Sequence, residues 1–263
     1  MDAPTAISLE GLNLLAFGQQ VIWLSLRIGG LLLLSPFIGT PAVPRRVRLV
    51  LALALAVAVA PLVPAPAVVA NLNAETLLAV ARELAIGAAL GFLLRLALEA
   101  VAMAGELISQ GMGLAFAQMI DPMRGVQSGV VSQWMTVVAG LTFFAVDAHL
   151  ALLAVLFESY SVLPAGAGTV SAAPLIDTVL GFSAVIFSAG VSLALPLMIA
   201  MITVNIGFGV MARTAPSLNP IAIGLPAALL VGFVLLIALV PHLLEPLRAL
   251  FNQGLTAADG LLR

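Results

Sequence analysis

The chain has 263 residues, of which 62% are hydrophobic and only 8% are charged, and its formal net charge is −2. Soluble domains usually carry about a quarter charged residues, so this composition argues against a soluble enzyme and indicates an integral membrane protein. The small net charge gives no basic field for nucleic acid. The absence of cysteine excludes disulfides, thiolate catalysis and cysteine-based metal sites.

Six apolar runs approach or exceed the roughly 20 residues that a helix needs to span a membrane. They are predicted in chain order at 12–38, 46–63, 74–104, 126–163, 175–212 and 218–251. The second run is short, the third is too long for one straight span, and the fourth is expected to break near Asp147 and His149. Because no linker divides the runs, we predict one all-α membrane domain over residues 1–263, built of long, broken helices and helical hairpins.

Among the connections between these runs, only alternate ones contain arginine. Arg45, Arg46 and Arg48 lie in the first connection, Arg124 in the third and Arg213 in the fifth. The positive-inside rule would place these odd connections in the cytoplasm and the N terminus outside. Proline and glycine in the same connections are expected to end the helices.

Several charged residues lie in or beside the apolar runs, where a lone charge costs from ~3 to more than ~10 kcal/mol. They are Arg27, Arg82, Glu83, Arg95, Glu99, Glu106, Asp147 and Glu158. Arg95 and Glu99 are four residues apart and share a helix face. We predict that Arg27, Arg82, Glu83, Arg95, Glu99, Glu106 and Arg213 make interhelical or intersubunit charge contacts. A proton or ion pathway is the alternative.

The stretch 105–124 is unusual because it holds Gly105, Gly111 and Gly113 among large apolar residues. Each glycine weakens a helix by about 1 kcal/mol relative to alanine. Non-helical backbone at membrane depth is tolerated where protein buries it or where it lines a cavity. We therefore predict a re-entrant or lumen-lining loop, with an ordinary interhelical loop as the alternative.

Four ordered stretches of the sequence carry a family resemblance. They are Ser35-Pro36-Phe37 with Pro41–Arg48, Glu106–Pro122 with its Gly-Met-Gly, Leu141–Phe144 with Asp147–Leu150, and Ala212–Pro226. In this order they resemble the FliR/SctT family of type III secretion export-gate proteins. Asp147 departs from the family pattern, in which Asn is usual at that position.

The resemblance implies an inner-membrane subunit of the flagellar basal body that assembles in a helical complex with FliP-like and FliQ-like subunits. FlhB-like and FlhA-like components and unfolded export substrates would be further partners. It implies no cofactor, no metal and no enzymatic activity. It also implies that a loop plugs the closed channel, with Gly111, Met112, Gly113, Leu114, Phe116, Met119, Ile120, Asp121 and Pro122 as the plug or gate residues.

Other functions stay open at this point. A virulence secretion system could use a similar subunit instead of a flagellum. A secondary transporter would carry small-molecule flux by itself and usually contain an inverted repeat. An intramembrane enzyme is poorly supported, because His149 and His242 are the only histidines and Asp147 with His149 lacks a spacing typical of a metal site.

Overall fold

The computed structural model describes residues 8–9, 12–63, 73–114, 129–166, 172–214 and 220–262. Within these ranges the chain is helical apart from loops and one short antiparallel pair, β1 (Ser8–Leu9) with β2 (Leu12–Asn13). The helices are, in chain order, α1 (Leu14–Leu34), α2 (Arg45–Val59) with a 3-10 turn at Ala60–Leu62, α3 (Ala74–Gly111), α4 (Val130–Ala145), α5 (Ala148–Val162), α6 (Ala172–Thr214) and α7 (Pro220–Gly260). The predicted all-α class is confirmed.

Local sequence explains several helix boundaries. Ser35 and Pro36 follow the last residue of α1, and Pro44 directly precedes α2, because proline is disfavoured within a helix but tolerated at its start. Asn73 caps α3, since its Oδ1 accepts a hydrogen bond of 2.9 Å from the backbone N–H of Thr76.

The predicted break in the fourth apolar run is confirmed. Helices α4 and α5 are bent by 62° at the short connection between them. Asp147 lies there with a φ of 55°, in the left-handed region that Asp and Asn enter more readily than other non-glycine residues. Its carbonyl oxygen then accepts hydrogen bonds from the N–H groups of Leu150 and Ala151 in the first turn of α5.

Two predicted helix ends were wrong by more than five residues. The third run was expected to end at residue 104, but α3 continues through Gly105 to Gly111. Gly105 does not break the helix; a Cβ there would overlap the Cα of Ser132, so this glycine allows α3 and α4 to approach closely. The last run was expected to end at residue 251, but α7 continues to Gly260, and its extension is followed by the buried Leu261 and Leu262.

The chain divides into two compact units. Unit 1 comprises the described residues within 1–95, 147–182 and 254–263, and unit 2 those within 96–146 and 183–253. In unit 1, α1 and α3 pack closely because glycines lie at their contact. A Cβ at Gly87 would overlap the carbonyl oxygen of Arg27, and one at Gly30 or Gly91 would overlap backbone atoms of the facing helix.

Four described helices are long and apolar enough to cross a membrane. They are α1, α3, α6 within Leu175–Thr214 and α7 within Gly224–Gly260, and the bent pair α4–α5 would make a fifth span. Helix α2 has 15 residues and therefore a length of about 22 Å, which is shorter than the roughly 30 Å hydrocarbon core of a bilayer.

Candidate functional site

The Gly-Met-Gly motif forms the end of α3 in unit 2. Gly113 has a φ of 80°, a left-handed conformation that glycine adopts without steric cost. The N–H of Leu114 donates to the carbonyl of Ser109 at 3.1 Å, and the N–H of Gly113 donates to that of Gln110 at 3.0 Å. These two bonds are those of a Schellman motif, which satisfies the last carbonyls of a helix. The motif therefore ends α3 at a defined residue.

Met112 is fully buried at the same helix end. It packs against Gly232 in α7, where a Cβ would lie 2.7 Å from both the Cε and the Cγ of Met112. The side-chain amide of Asn205 in α6 contacts the carbonyl oxygen of Gly111 at 3.4 Å. Met112 thus packs the end of α3 against α7, and a Cβ at position 232 would require the Met112 side chain to shift.

The start of α4 is fastened to α3 as well. The backbone N–H of Gly129 donates to Oε2 of Glu106 at 3.0 Å, and the hydroxyl of Ser132 donates to the carbonyl of Ala102 at 2.7 Å. A carboxylate near a helix N terminus is also favoured by the helix dipole. A Cβ at Gly129 would lie only 2.7 Å from Oγ of Ser109, so the chain passes closely over α3 here.

These contacts define what we call the loop base: Glu106, Ser109, Met112, Gly129 and Gly232. The last two turns of α3 hold both the residue before the intervening segment and the residue after it. Of the predicted plug residues, Gly111, Met112, Gly113 and the half-buried Leu114 belong to this base or adjoin it. The others, Phe116, Met119, Ile120, Asp121 and Pro122, lie outside the described residues.

A second cluster, here called the arginine cluster, lies in unit 1 around Arg27 of α1. Its Nε is 2.8 Å from Oε2 of Glu83 in α3, and both side chains have no exposed surface. Its Nη1 donates to the carbonyl and the hydroxyl oxygen of Ser159 at 2.8 and 2.9 Å, and Nη2 donates to the carbonyl of Leu163 at 2.8 Å. A buried ion pair is tolerated when further hydrogen bonds satisfy its remaining atoms.

Two further contacts complete the arginine cluster. The hydroxyl of Tyr160 donates to the carbonyl of Leu24 at 2.8 Å, and its ring centroid lies 4.5 Å from the guanidinium carbon of Arg27, within range of a cation–π interaction. Oε1 of Glu83 accepts a bond of 3.2 Å from the N–H of Gly166. The cluster therefore joins α1, α3, the end of α5 and the turn after it.

The remaining predicted charges do not belong to these clusters. Arg82 and Arg95 are half-buried on α3, Glu99 is exposed on the same helix, and Arg213 is exposed in the last turn of α6. The loop base and the arginine cluster thus use Glu106, Arg27 and Glu83 alone among the predicted charges.

Sequence reasoning missed the partners in both clusters. Gly129 and Gly232 do not stand out among the 23 glycines of the chain, because only the fold shows which glycine faces another helix. Ser159 and Tyr160 did give a signal, since they form a polar group with Glu158 and Ser161 at the end of an apolar run. A polar group at that position is a reasonable place to seek the partner of a buried arginine.

Comparisons with known proteins agree with the resemblance in the motifs. The profile of a family described as bacterial export proteins, family 1, matches residues 19–254. The flagellar biosynthetic protein FliR of Escherichia coli (strain K12) is 35% identical over 231 residues, which are 88% of each chain. FliR of Pectobacterium carotovorum is 32% identical over 242 residues, 87% of this chain and 88% of that protein. FliR of Aquifex aeolicus is 32% identical over 215 residues, 82% and 83% of the two chains. With a family profile over most of its length and FliR proteins aligned along both chains, this chain belongs to the FliR family of bacterial export proteins.

Proposed function

We propose that the chain is a core subunit of the flagellar protein export gate in the bacterial inner membrane, and that the segment between α3 and α4 helps to close the channel. The membership in a flagellar export apparatus rests on the FliR relatives. The closing role rests on the loop base, which holds both ends of that segment on the last two turns of α3.

The geometry of the loop base suits a plug. A segment that blocks a pore must be anchored at both ends, so that it stays in the pore. Met112 and Glu106 provide such ends, one through apolar packing and one through a charged hydrogen bond. Between Met112 and Gly129, the residue that Glu106 holds, the sequence contains Phe116, Met119 and Ile120. Apolar constrictions stop ions by dewetting, and methionine adapts its shape to irregular gaps.

FliP-like and FliQ-like subunits are the proposed partners, with FlhB-like and FlhA-like export components nearby. Much apolar surface is left for such partners or for lipid on the long helices. Leu180, Phe187, Ile199, Ile202, Ile206, Leu230 and Ile237 are each more than half exposed on α6 and α7. Unfolded flagellar subunits are the proposed substrates of the assembled gate.

Assembly and export test this function together. Cells that lack the gene should lose both flagellar filaments and secretion of filament subunits, and the tagged chain should restore them while co-purifying with its partner subunits in a fixed complex. A stable monomer that never co-purifies with other membrane subunits would refute the proposal. If the isolated chain in liposomes carried small-molecule flux, a secondary transporter would explain it instead.

The plug role has its own test. Deleting residues 115–122 in a complex that still assembles should raise ion conductance above that of the intact complex, since the seal would be removed. A matched deletion of eight residues is available at residues 64–71, which also lie in a connection between apolar runs. Conductance at background in an assembled complex without 115–122 would refute the closing role and leave gate membership untouched.

A further inference from the structure

The beginning of α2 concentrates positive charge. Arg45 and Arg46 are exposed, and Arg48 is half-buried with its Nη2 donating to the carbonyl of Val43 at 3.1 Å. No hydrogen bond in the described chain satisfies Nε of Arg48. The sequence has no Asp or Glu anywhere in 11–74, so none of these arginines has an acidic neighbour along the chain. Negative charge for them must come from another molecule or a remote part of the protein.

The field of the helix itself adds to this charge. No side chain caps the N terminus of α2, and its first turn carries no acidic residue. The N-terminal end of a helix is already the positive end of its dipole, where acidic groups are favoured and basic groups are not. A bound anion would offset the unfavourable interaction between three arginines and the positive end of the helix dipole.

An apolar surface follows immediately after the charged turn. Leu49, Val50, Leu53 and Val57 are exposed by 62%, 66%, 39% and 48%. Ala52, Ala56 and Val59, which lie on a different side of α2, are buried. One side of α2 therefore packs against the rest of the protein. The exposed side begins with the arginines and continues with apolar side chains.

We propose that this surface, Arg45, Arg46 and Arg48 with the exposed apolar side of α2, binds an anionic phospholipid. The guanidinium groups would hold its phosphate, which arginine pairs with in a bidentate manner. Its acyl chains would lie along Leu49, Val50, Leu53 and Val57. Charge complementarity selects an anion, and the apolar face that adjoins the arginines selects one with a hydrocarbon tail. An anionic phospholipid has a charged headgroup followed by hydrocarbon chains, which is the order in which α2 presents arginines and then apolar side chains.

The purified complex that contains the full chain provides the test. It is exchanged into detergent with phosphatidylglycerol, with phosphatidylcholine of the same acyl chains, or with inorganic phosphate alone, and lipid bound per complex is counted by native mass spectrometry. The variant combines Arg45→Gln and Arg46→Gln. The control is Arg248→Gln, which removes the charge of an exposed arginine elsewhere in the chain.

We expect phosphatidylglycerol to bind in preference to phosphatidylcholine, and the double variant to bind it roughly thirtyfold more weakly, given what each arginine near an anionic lipid contributes. The control should bind as the unmodified complex does. A third variant, Arg45→Lys with Arg46→Lys, should recover most of the binding because it keeps the charge.

Equal retention of the two lipids, or unchanged phosphatidylglycerol binding in the glutamine variant, would overturn the proposal. Loss of partner subunits with lipid binding intact would likewise overturn it and assign the arginines to a protein contact. If inorganic phosphate binds to the complex and neither lipid is preferred, the arginines form a simple anion site. That result would refute the proposal of a lipid site.

Discussion

Glu83→Gln should destabilise the protein strongly, because it leaves the guanidinium of Arg27 buried without a negative partner. Both side chains have no exposed surface and are joined at 2.8 Å. Removing one member of a buried ion pair costs about 3–5 kcal/mol. The glutamine oxygen can still accept one hydrogen bond, so the expected loss comes from the uncompensated charge and not from an empty space. The N–H of Gly166, which donates to the second carboxylate oxygen, would also lose a charged acceptor.

The assay is thermal melting of the purified protein in detergent, followed by the fluorescence of its two tryptophans, Trp23 in α1 and Trp134 in α4. With roughly 2–4 °C lost per kcal/mol in a chain of this size, Glu83→Gln should lower the melting temperature by roughly 10 °C. Glu158→Gln is the matched control, since Glu158 is exposed in α5 and the same chemical change there should shift melting by no more than about 2 °C.

The double variant Arg27→Met with Glu83→Met tests whether the destabilisation comes from an unpaired buried charge, because it removes both charges together. Replacing a buried ion pair by apolar residues of similar volume is often neutral or stabilising, so the double variant should melt above the single Glu83→Gln. The reasoning would be refuted if Glu83→Gln melted within about 2 °C of the unmodified protein, or if the double variant lost the sum of two independent single changes.

Two further predictions concern the loop base. Gly232→Ala should cost about 1–3 kcal/mol by overpacking, because the new Cβ would lie 2.7 Å from atoms of Met112, and Met112→Ala as a second change should relieve it; Gly209→Ala, with nothing within 4 Å of its Cβ, is the control and should be neutral or stabilising in the melting assay. Gly113→Ala should cost about 1–2 kcal/mol because alanine is strained at a φ of 80°, and hydrogen exchange should become faster in the last turn of α3, whereas Gly111→Ala should leave that turn protected. Equal melting of the two variants of the first pair, or equal exchange in those of the second, would contradict these contacts.

The hydrophobic runs and the turn residues of the sequence predicted much of the fold. The apolar lengths located every long helix, and the polar Asp147 in an apolar run marked the bend between α4 and α5. The same reasoning failed at Gly105, where glycine was read as a helix breaker. Its role depends on Ser132 of another helix, and a single sequence does not show which helices are neighbours.

The candidate site was foreseen only in part. Charge in an apolar run singled out Arg27, Glu83 and Glu106, because burying a lone charge is costly wherever it occurs. The partners were not foreseen. Ser159 and Leu163 contribute backbone carbonyls to Arg27, and Gly129 contributes an N–H to Glu106. Every residue carries a backbone carbonyl, and every residue except proline carries a backbone N–H. Backbone partners of this kind leave no trace in the sequence.

Cross-linking to a substrate in transit tests the central claim most directly, namely that the segment between α3 and α4 lies in the export channel. The chain has no cysteine, so Phe116→Cys introduces a single reactive site in that segment, and Val57→Cys, on the exposed side of α2, provides a control. With a flagellar subunit stalled during export and carrying its own cysteine, we expect a cross-link from position 116 and none from position 57. A stalled, gate-bound substrate that never cross-links to position 116 would contradict it.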